Sequence, residues 1–163
     1  MPRKLRAVEQ LQFSAAALTP IVARMDQLAS AGDGWINLVP SISDRRERPT
    51  TLGFMALFSG GGTGATMITW MPGRSEKRGA IGPSLGITHA TGHRAVAALA
   101  SANVPVPATW TIEQDHPRRG LILRIPAKEG NEVVLTWAVR AVIALNTPRQ
   151  ITSWRAEVHL PAS

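Results

Sequence analysis

The chain has 163 residues, and its 18 Lys and Arg against 11 Asp and Glu give a formal net charge of +7. A hydrophobic content of 44% is that of a globular protein and excludes extensive disorder. The sequence has no Cys, which excludes disulfides and thiolate chemistry, and no apolar run approaches the ~18–20 residues that span a bilayer. We therefore expect a single cytoplasmic domain over residues 1–163, with no membrane span and no cofactor.

The first helix is predicted over residues 18–29, where apolar residues recur at helical spacing. Thr19 is the expected N-cap and Pro20 the expected first-turn residue, while Gly32 ends the helix. Residues 1–13 precede it as a basic N-terminal arm or lead-in. At its end, Leu11 and Phe13 alternate with Gln10 and Gln12, a pattern that fits a short strand or a lead-in.

Three strand patterns follow, over residues 35–42, 52–58 and 65–71. The Gly-rich residues 59–64 join the last two as an antiparallel hairpin. Residues 73–87 are polar, Gly-rich and basic, and they predict a mobile surface loop.

The second half of the chain predicts helix, hairpin, helix and strand. Thr91 is expected to cap a helix that runs to residue 102, with Val96, Leu99 and Ala100 buried. A hairpin then pairs residues 109–113 with residues 121–125. A third helix, capped by Asn131 and stopped by Asn146, carries an apolar stripe of Val133, Val134, Trp137, Ala138, Ala141, Val142 and Leu145. Residues 151–160 alternate as a half-exposed strand.

Together these patterns predict an α+β fold, with an antiparallel sheet of about five to six strands packed against three helices. The predicted order is α-β-β-β-α-β-β-α-β. Between residues 14 and 146 this order is similar to the type III secretion chaperone-like fold, which includes the YbjN proteins. The resemblance implies a protein that dimerises and binds other proteins without catalysis. Secretion chaperones of this kind are usually acidic, and the closing strand lies outside the family pattern.

Most basic residues fall in short clusters, which lie in predicted loops or at the N-terminus. Clusters of one sign create a field that attracts polyanions. The candidate polyanion-binding or nucleic-acid-binding residues are Arg45, Arg46, Arg48, Arg74, Lys77, Arg78, Arg118 and Arg119. We predict a non-enzymatic interaction module that binds a protein or polyanionic partner, or forms a homo-oligomer, through its sheet face and Arg-rich loops.

One alternative is a protein that binds DNA or RNA by contacts between the Arg clusters and phosphates. The absence of Tyr and the presence of only three Phe argue against a surface that stacks on bases. A winged helix-turn-helix over residues 86–99 would place Arg94 toward a DNA groove. That motif needs another helix just before its turn, and residues 74–85 do not predict one.

A second alternative is an enzyme with a small-ligand site near His89, His93 and the Gly-rich residues 60–64. Their spacing would place two imidazoles on one helical face, as in a metal site or a general base. Gly92 interrupts that helix, however, and His116 or His159 would have to supply a third metal ligand from elsewhere in the chain. No nucleophile partner for a general base is identifiable. Asp115 and His116 also suggest an acid/base pair, although Asp is favoured at turn starts for its own backbone bonds. We therefore predict no catalytic and no metal-binding residues.

Residues 60–64 read Gly-Gly-Gly-Thr-Gly, which resembles a signature of the tubulin-like GTPases over these five residues. Such loops cradle phosphates with backbone N–H groups. Thr66 stands where that family has Gly, and no Lys occupies the position that a Walker loop requires. A hairpin loop is the favoured interpretation.

Overall fold

Three segments with apolar residues at helical spacing form the helices of the protein. They are α1 (Thr19–Ala31), α2 (Ala95–Ser101) and α3 (Asn131–Leu145). The structure, a computed structural model, describes residues 8–42, 66–89, 91–146 and 151–160. Its strands are β1 (Val8–Phe13), β2 (Trp35–Ile42), β3 (Met67–Met71), β4 (Arg74–Glu76), β5 (Gly79–Ile81), β6 (Ser84–Thr88), β7 (Thr111–His116), β8 (Gly120–Arg124) and β9 (Ile151–His159).

Seven of these strands form one antiparallel sheet in the order β1-β9-β2-β3-β6-β8-β7, while β4 and β5 form a separate two-stranded ribbon. The predicted α+β fold, with three helices and an antiparallel sheet, is confirmed for the described residues. The number of strands is higher than the five to six expected. The added strands are β1, which is the short strand rather than the lead-in of the two alternatives for the end of segment 1–13, and β4 to β6, which lie in the predicted loop 73–87 except for Thr88.

The closing strand β9 lies inside the sheet, between β1 and β2. Ala156 pairs with Leu11 on one side and with Leu38 on the other. The alternation along β9 turns Trp154, Ala156 and Val158 toward the helices, where they are buried. A strand near one end of the chain thus holds the first strand against the rest of the sheet.

The core lies between the three helices and one face of the sheet. Trp70 and Trp154 are among its largest fully buried side chains, and the ring of Phe13 stacks on Trp154 at 5.8 Å. A second aromatic contact, between Trp110 and Trp137, joins the segment before β7 to α3 at 5.1 Å. Large aromatic side chains bury much apolar area each, so the first contact strengthens the pairing of β1 with β9 and the second holds α3 against the segment before β7.

The predicted end of the first helix at Gly32 is confirmed. Gly32 has a left-handed φ of 63°, and its N–H donates hydrogen bonds to the carbonyl oxygens of Leu28 and Ala29. The predicted N-caps are wrong. Leu18 occupies the N-cap position of α1 and Thr19 lies inside the helix, with no side-chain cap bond. Asn131 is likewise the first residue of α3, and its side-chain amide donates to Asp26 Oδ1 at 2.7 Å. Tertiary contact, rather than local capping, fixes that helix start.

The buried stripes differ from the predicted ones in detail. Val133 is 53% exposed, whereas Leu135 and Val139 are buried on α3. The second helix begins at Ala95 rather than near Thr91, because the segment between them forms a bend. Ala100 is exposed and Val96 is half-buried.

The predicted strand 65–71 is observed as β3, which pairs with β2 on one side and β6 on the other. The predicted strand 52–58 and the loop 59–64 lie outside the described residues. The predicted loop 73–87 contains regular structure, because Leu85 and Ile87 alternate into the core and pull β6 into the middle of the sheet.

Candidate functional site

The ribbon β4–β5 projects where β3 ends and β6 begins, and Lys77 and Arg78 form its turn. Two glycines, Gly73 and Gly82, allow the base of the ribbon to pack closely against neighbouring backbone. A Cβ at Gly82 would lie 1.7 Å from the Ile125 carbonyl oxygen, and a Cβ at Gly73 would lie 2.4 Å from that of Ile81. The ribbon is therefore held at its base by backbone contacts that only glycine allows, while its turn remains exposed.

The ribbon carries more positive than negative charge. Arg74 Nε donates to Glu76 Oε1 at 2.8 Å, an exposed pair of the kind that contributes little stability. Lys77 and Arg78 make no ion pair within the part of the chain that the structure describes. Both side chains are exposed, so their charges are available to a partner.

The second basic turn joins β7 to β8 and carries Arg118 and Arg119. Their backbone N–H groups both donate to His116 Nδ1, each at 3.1 Å. Gln114 Nε2 also donates to the carbonyl oxygens of Arg119 and Gly120. The turn is thus fixed by side chains of β7. The two Arg side chains are exposed and without an ion pair among the described residues.

The two basic turns lie at opposite ends of the sheet. Ser84 pairs with Arg124, and Arg124 with Thr111, at the end from which the ribbon projects. The other end of the same hairpin is the pair His116–Gly120. A strand rises about 3.3 Å per residue, so the length of β7 separates the two ends by about 16 Å. The remaining predicted cluster, Arg45, Arg46 and Arg48, lies outside the described residues.

A pocket of about 460 Å³ lies between the ribbon and the sheet face turned away from the helices, and we call it the ribbon groove. It is lined by Met71, Pro72, Gly73, Arg74, Ile81, Gly82, Ser84, Glu113, Gln114, Ile122 and Arg124. The Arg124 guanidinium is held by Glu113 at 2.9 and 3.3 Å and by the Gly82 carbonyl at 3.1 Å. Sequence reasoning missed this groove, and its local signal was the pair of glycines that bracket the ribbon.

The middle of that sheet face is a buried polar network. Asn37 and Thr69 are only 4% and 3% exposed. The Thr69 hydroxyl donates to Asn37 Oδ1 at 3.0 Å, and Asn37 Nδ2 lies 3.4 Å from His159 Nε2. The His159 ring stacks on Trp35 with centroids 4.3 Å apart. Side chains at the centre of this sheet face are therefore buried and cannot contact a partner. Binding through the sheet face stays a prediction, and only the end of the face beside the ribbon is open to it.

His89 and His93 both lie between β6, which ends at Thr88, and α2, which begins at Ala95, so they share no helical face. His89 is 6% exposed, and its Nδ1 lies 2.9 Å from Thr91 Oγ1. Burial lowers the pKa of His89, although the nearby Asp115 carboxylate acts in the opposite direction. His93 is exposed, and its backbone N–H donates to the same Thr91 hydroxyl.

Asp115 caps α2 from across the fold. Its carboxylate accepts the Ala95 N–H at 2.7 Å and the Val96 N–H at 3.4 Å. The carboxylate therefore serves two of the unpaired amides at the helix start. Within the described residues, no three His, Asp or Glu side chains gather in a metal-binding arrangement. The Gly-rich residues 60–64 lie outside that part of the chain.

None of the three helices in the described ranges is both long enough and apolar enough to cross a bilayer. No protein-family model, curated protein or solved structure matches this chain. The similarity in element order to the type III secretion chaperone-like fold therefore stays a prediction.

Proposed function

We propose that the protein is a non-enzymatic binding module that contacts a polyanionic partner with its two basic turns. The observation that carries the proposal is the state of Lys77, Arg78, Arg118 and Arg119. All four are exposed on ordered hairpin turns, and none forms an ion pair among the described residues. Unpaired cations on a fixed scaffold attract a polyanion, and binding releases the counterions of that partner.

The separation of the turns constrains the mode of binding. The two ends of the sheet that carry the turns are about 16 Å apart, which exceeds one Debye length at physiological salt, so each turn acts as an independent contact. A partner long enough to reach both gains affinity from the second contact without any new chemistry. We therefore expect affinity to rise with the length of the polyanion.

Nucleic acid is a second candidate partner. The observation that favours it is the exposed two-stranded ribbon, because a ribbon of this kind fits the major groove of B-DNA. In that case Lys77 and Arg78 contact phosphates or base edges at the tip of the ribbon.

The test compares labelled poly-glutamate and a short DNA duplex by fluorescence anisotropy over a series of salt concentrations. One variant replaces Lys77 and Arg78 with Ser, and another replaces Arg118 and Arg119. A matched control replaces two exposed cations elsewhere, Lys128 and Arg140, and so removes the same charge.

For the duplex, the log–log dependence of affinity on salt is expected to lose about one unit of slope per lost phosphate contact. Each turn variant then loses about two units, while the control keeps the original slope. Binding that does not depend on salt contradicts the proposal. So does a control variant that loses as much affinity as the two turn variants, because net charge alone would then explain the binding.

A further inference from the structure

The ribbon groove combines an apolar floor with a positively charged rim. Met71 and Ile122 are both half-buried and line the pocket, and Ile81 adds an apolar wall from the ribbon. Arg74 stands at the rim and is exposed. Because the ribbon turn follows directly on β4, the cations of that turn lie on the element that forms one wall.

The open space of the ribbon groove results from small residues on β6, an internal strand of the sheet. Ser84 lies between Met71 and Arg124 in the sheet, and Gly86 is the direct partner of Ile122. Neither supplies a large side chain to the face away from the helices. The apolar side chains of Met71 and Ile122 on the flanking strands are therefore left with space between them.

The two Arg side chains that line the groove differ in how available they are to a ligand. Arg124 is engaged by both carboxylate oxygens of Glu113 and by the Gly82 carbonyl. It serves mainly to hold the wall of the groove. Arg74 shares only its Nε with an exposed Glu76. The rim cation that a ligand can reach is therefore Arg74, with the ribbon turn beyond it.

We propose that the ribbon groove takes the apolar side chain of an acidic peptide segment, whose flanking carboxylates contact Arg74 and the turn at Lys77 and Arg78. This inference rests on the proposed binding of a polyanion and names its class. Phosphates of nucleic acid satisfy the cations but leave the floor at Met71 and Ile122 unfilled. An acidic peptide with one apolar residue satisfies both.

The pocket on the opposite side of the ribbon has a different character. It measures about 550 Å³ and is lined by the end of α1, the ribbon and the segment leading into α3. Glu129 and Asn131 contribute to its lining, and small residues form much of the remainder. Arg74 borders both pockets, but Glu129 accepts only the Trp110 Nε1–H and has no ion pair among the described residues, whereas Glu113 in the ribbon groove is paired with Arg124. An acidic peptide is therefore repelled more by the Glu129 pocket, and the ribbon groove is the better match.

The test uses a short labelled acidic peptide with one central Leu, and the same peptide with Ser in place of that Leu. Burial of one apolar side chain predicts that the wild type binds the Leu peptide about tenfold more tightly or better. The variant Ile122→Gln is expected to remove this preference. Ile112→Gln is the matched control, because Ile112 is 46% exposed on the neighbouring strand and does not line the groove.

Equal affinity of the wild type for the two peptides overturns the inference. If both peptides still bind with a salt-dependent affinity that needs the basic turns, the proposed function stands without it. Binding of the DNA duplex alone identifies nucleic acid and also overturns the inference. A Leu preference that survives in a folded Ile122→Gln variant places the apolar contact elsewhere. Met71→Gln replaces that variant if its circular dichroism shows it unfolded, and it is judged by the same criterion.

Discussion

Replacing Asp115 by Ala tests whether this carboxylate is a structural cap. The substitution removes the acceptor for the Ala95 and Val96 amides, of which the first lies at 2.7 Å and the second at 3.4 Å. Loss of a helix cap costs about 0.5–2 kcal/mol, and a short bond to a charged acceptor favours the upper half of that range. In a domain of this size, each kcal/mol lowers the melting temperature by about 2–4 °C. We therefore expect a decrease of roughly 2–8 °C.

Thermal unfolding followed by circular dichroism measures this decrease. Asp115→Asn is the matched control, because it keeps an acceptor oxygen and loses only the charge, so it is expected to retain part of the stability. An Ala variant within about 0.5 kcal/mol of the wild type refutes the capping role, since that is the range of neutral surface substitutions. It would also reopen the alternative that Asp115 and His116 act as an acid/base pair.

Two further predictions concern the buried imidazole of His89 and the glycine at the base of the ribbon. Burial lowers the pKa of His89 below its ordinary value of 6.5, so the unfolded chain binds the extra proton first as the pH falls. The contribution of neutral His89 to the free energy of unfolding is fully present above about pH 6.5 and is lost as the pH falls through the folded pKa. Urea unfolding at a series of pH values from about 7.5 to about 5 measures this loss. The loss is expected to be smaller in the His89→Gln variant. Gly82→Ala forces a Cβ against the Ile125 carbonyl oxygen at 1.7 Å. Urea unfolding is expected to show a loss of about 1–3 kcal/mol. Gly130→Ala is the matched control, because Gly130, like Gly82, has no left-handed φ and its added Cβ meets no atom within 4 Å.

The elements that sequence predicted best are those with a long, regular pattern. The strand at residues 35–42 and the third helix coincide closely with β2 and α3. The apolar periodicity extends over several turns of the helix and several residue pairs of the strand, so burial and intrinsic propensity favour the same secondary structure. The hairpin of β7 and β8 was recognised as well, because two apolar runs flank a turn-forming segment.

The elements that sequence missed depend on contacts between distant residues. β6 contributes only Leu85 and Ile87 to the core and contains Gly86, so its local pattern resembles a loop. Its strand conformation comes from pairing with β3 and β8 on both sides. Capping of α2 by Asp115 likewise joins residues 20 positions apart, and no local motif reveals such a cap.

The candidate site was predictable in composition but not in arrangement. The charge pattern singled out Lys77, Arg78, Arg118 and Arg119, all of which lie on turns. Their placement at opposite ends of the sheet follows from strand order, which the sequence does not encode locally. The groove beside the ribbon depends further on Ile122, a residue 45 positions from Lys77 in the chain and adjacent to the ribbon only in the fold.

The most direct test of the polyanion proposal is a titration of the ¹⁵N-labelled protein with poly-glutamate, followed by the backbone amide shifts. The account predicts that the largest changes among the described residues occur at Lys77, Arg78, Arg118 and Arg119, and that added salt reverses them. Changes concentrated instead at Lys128 and Arg140, or no change at any concentration of poly-glutamate, would contradict it.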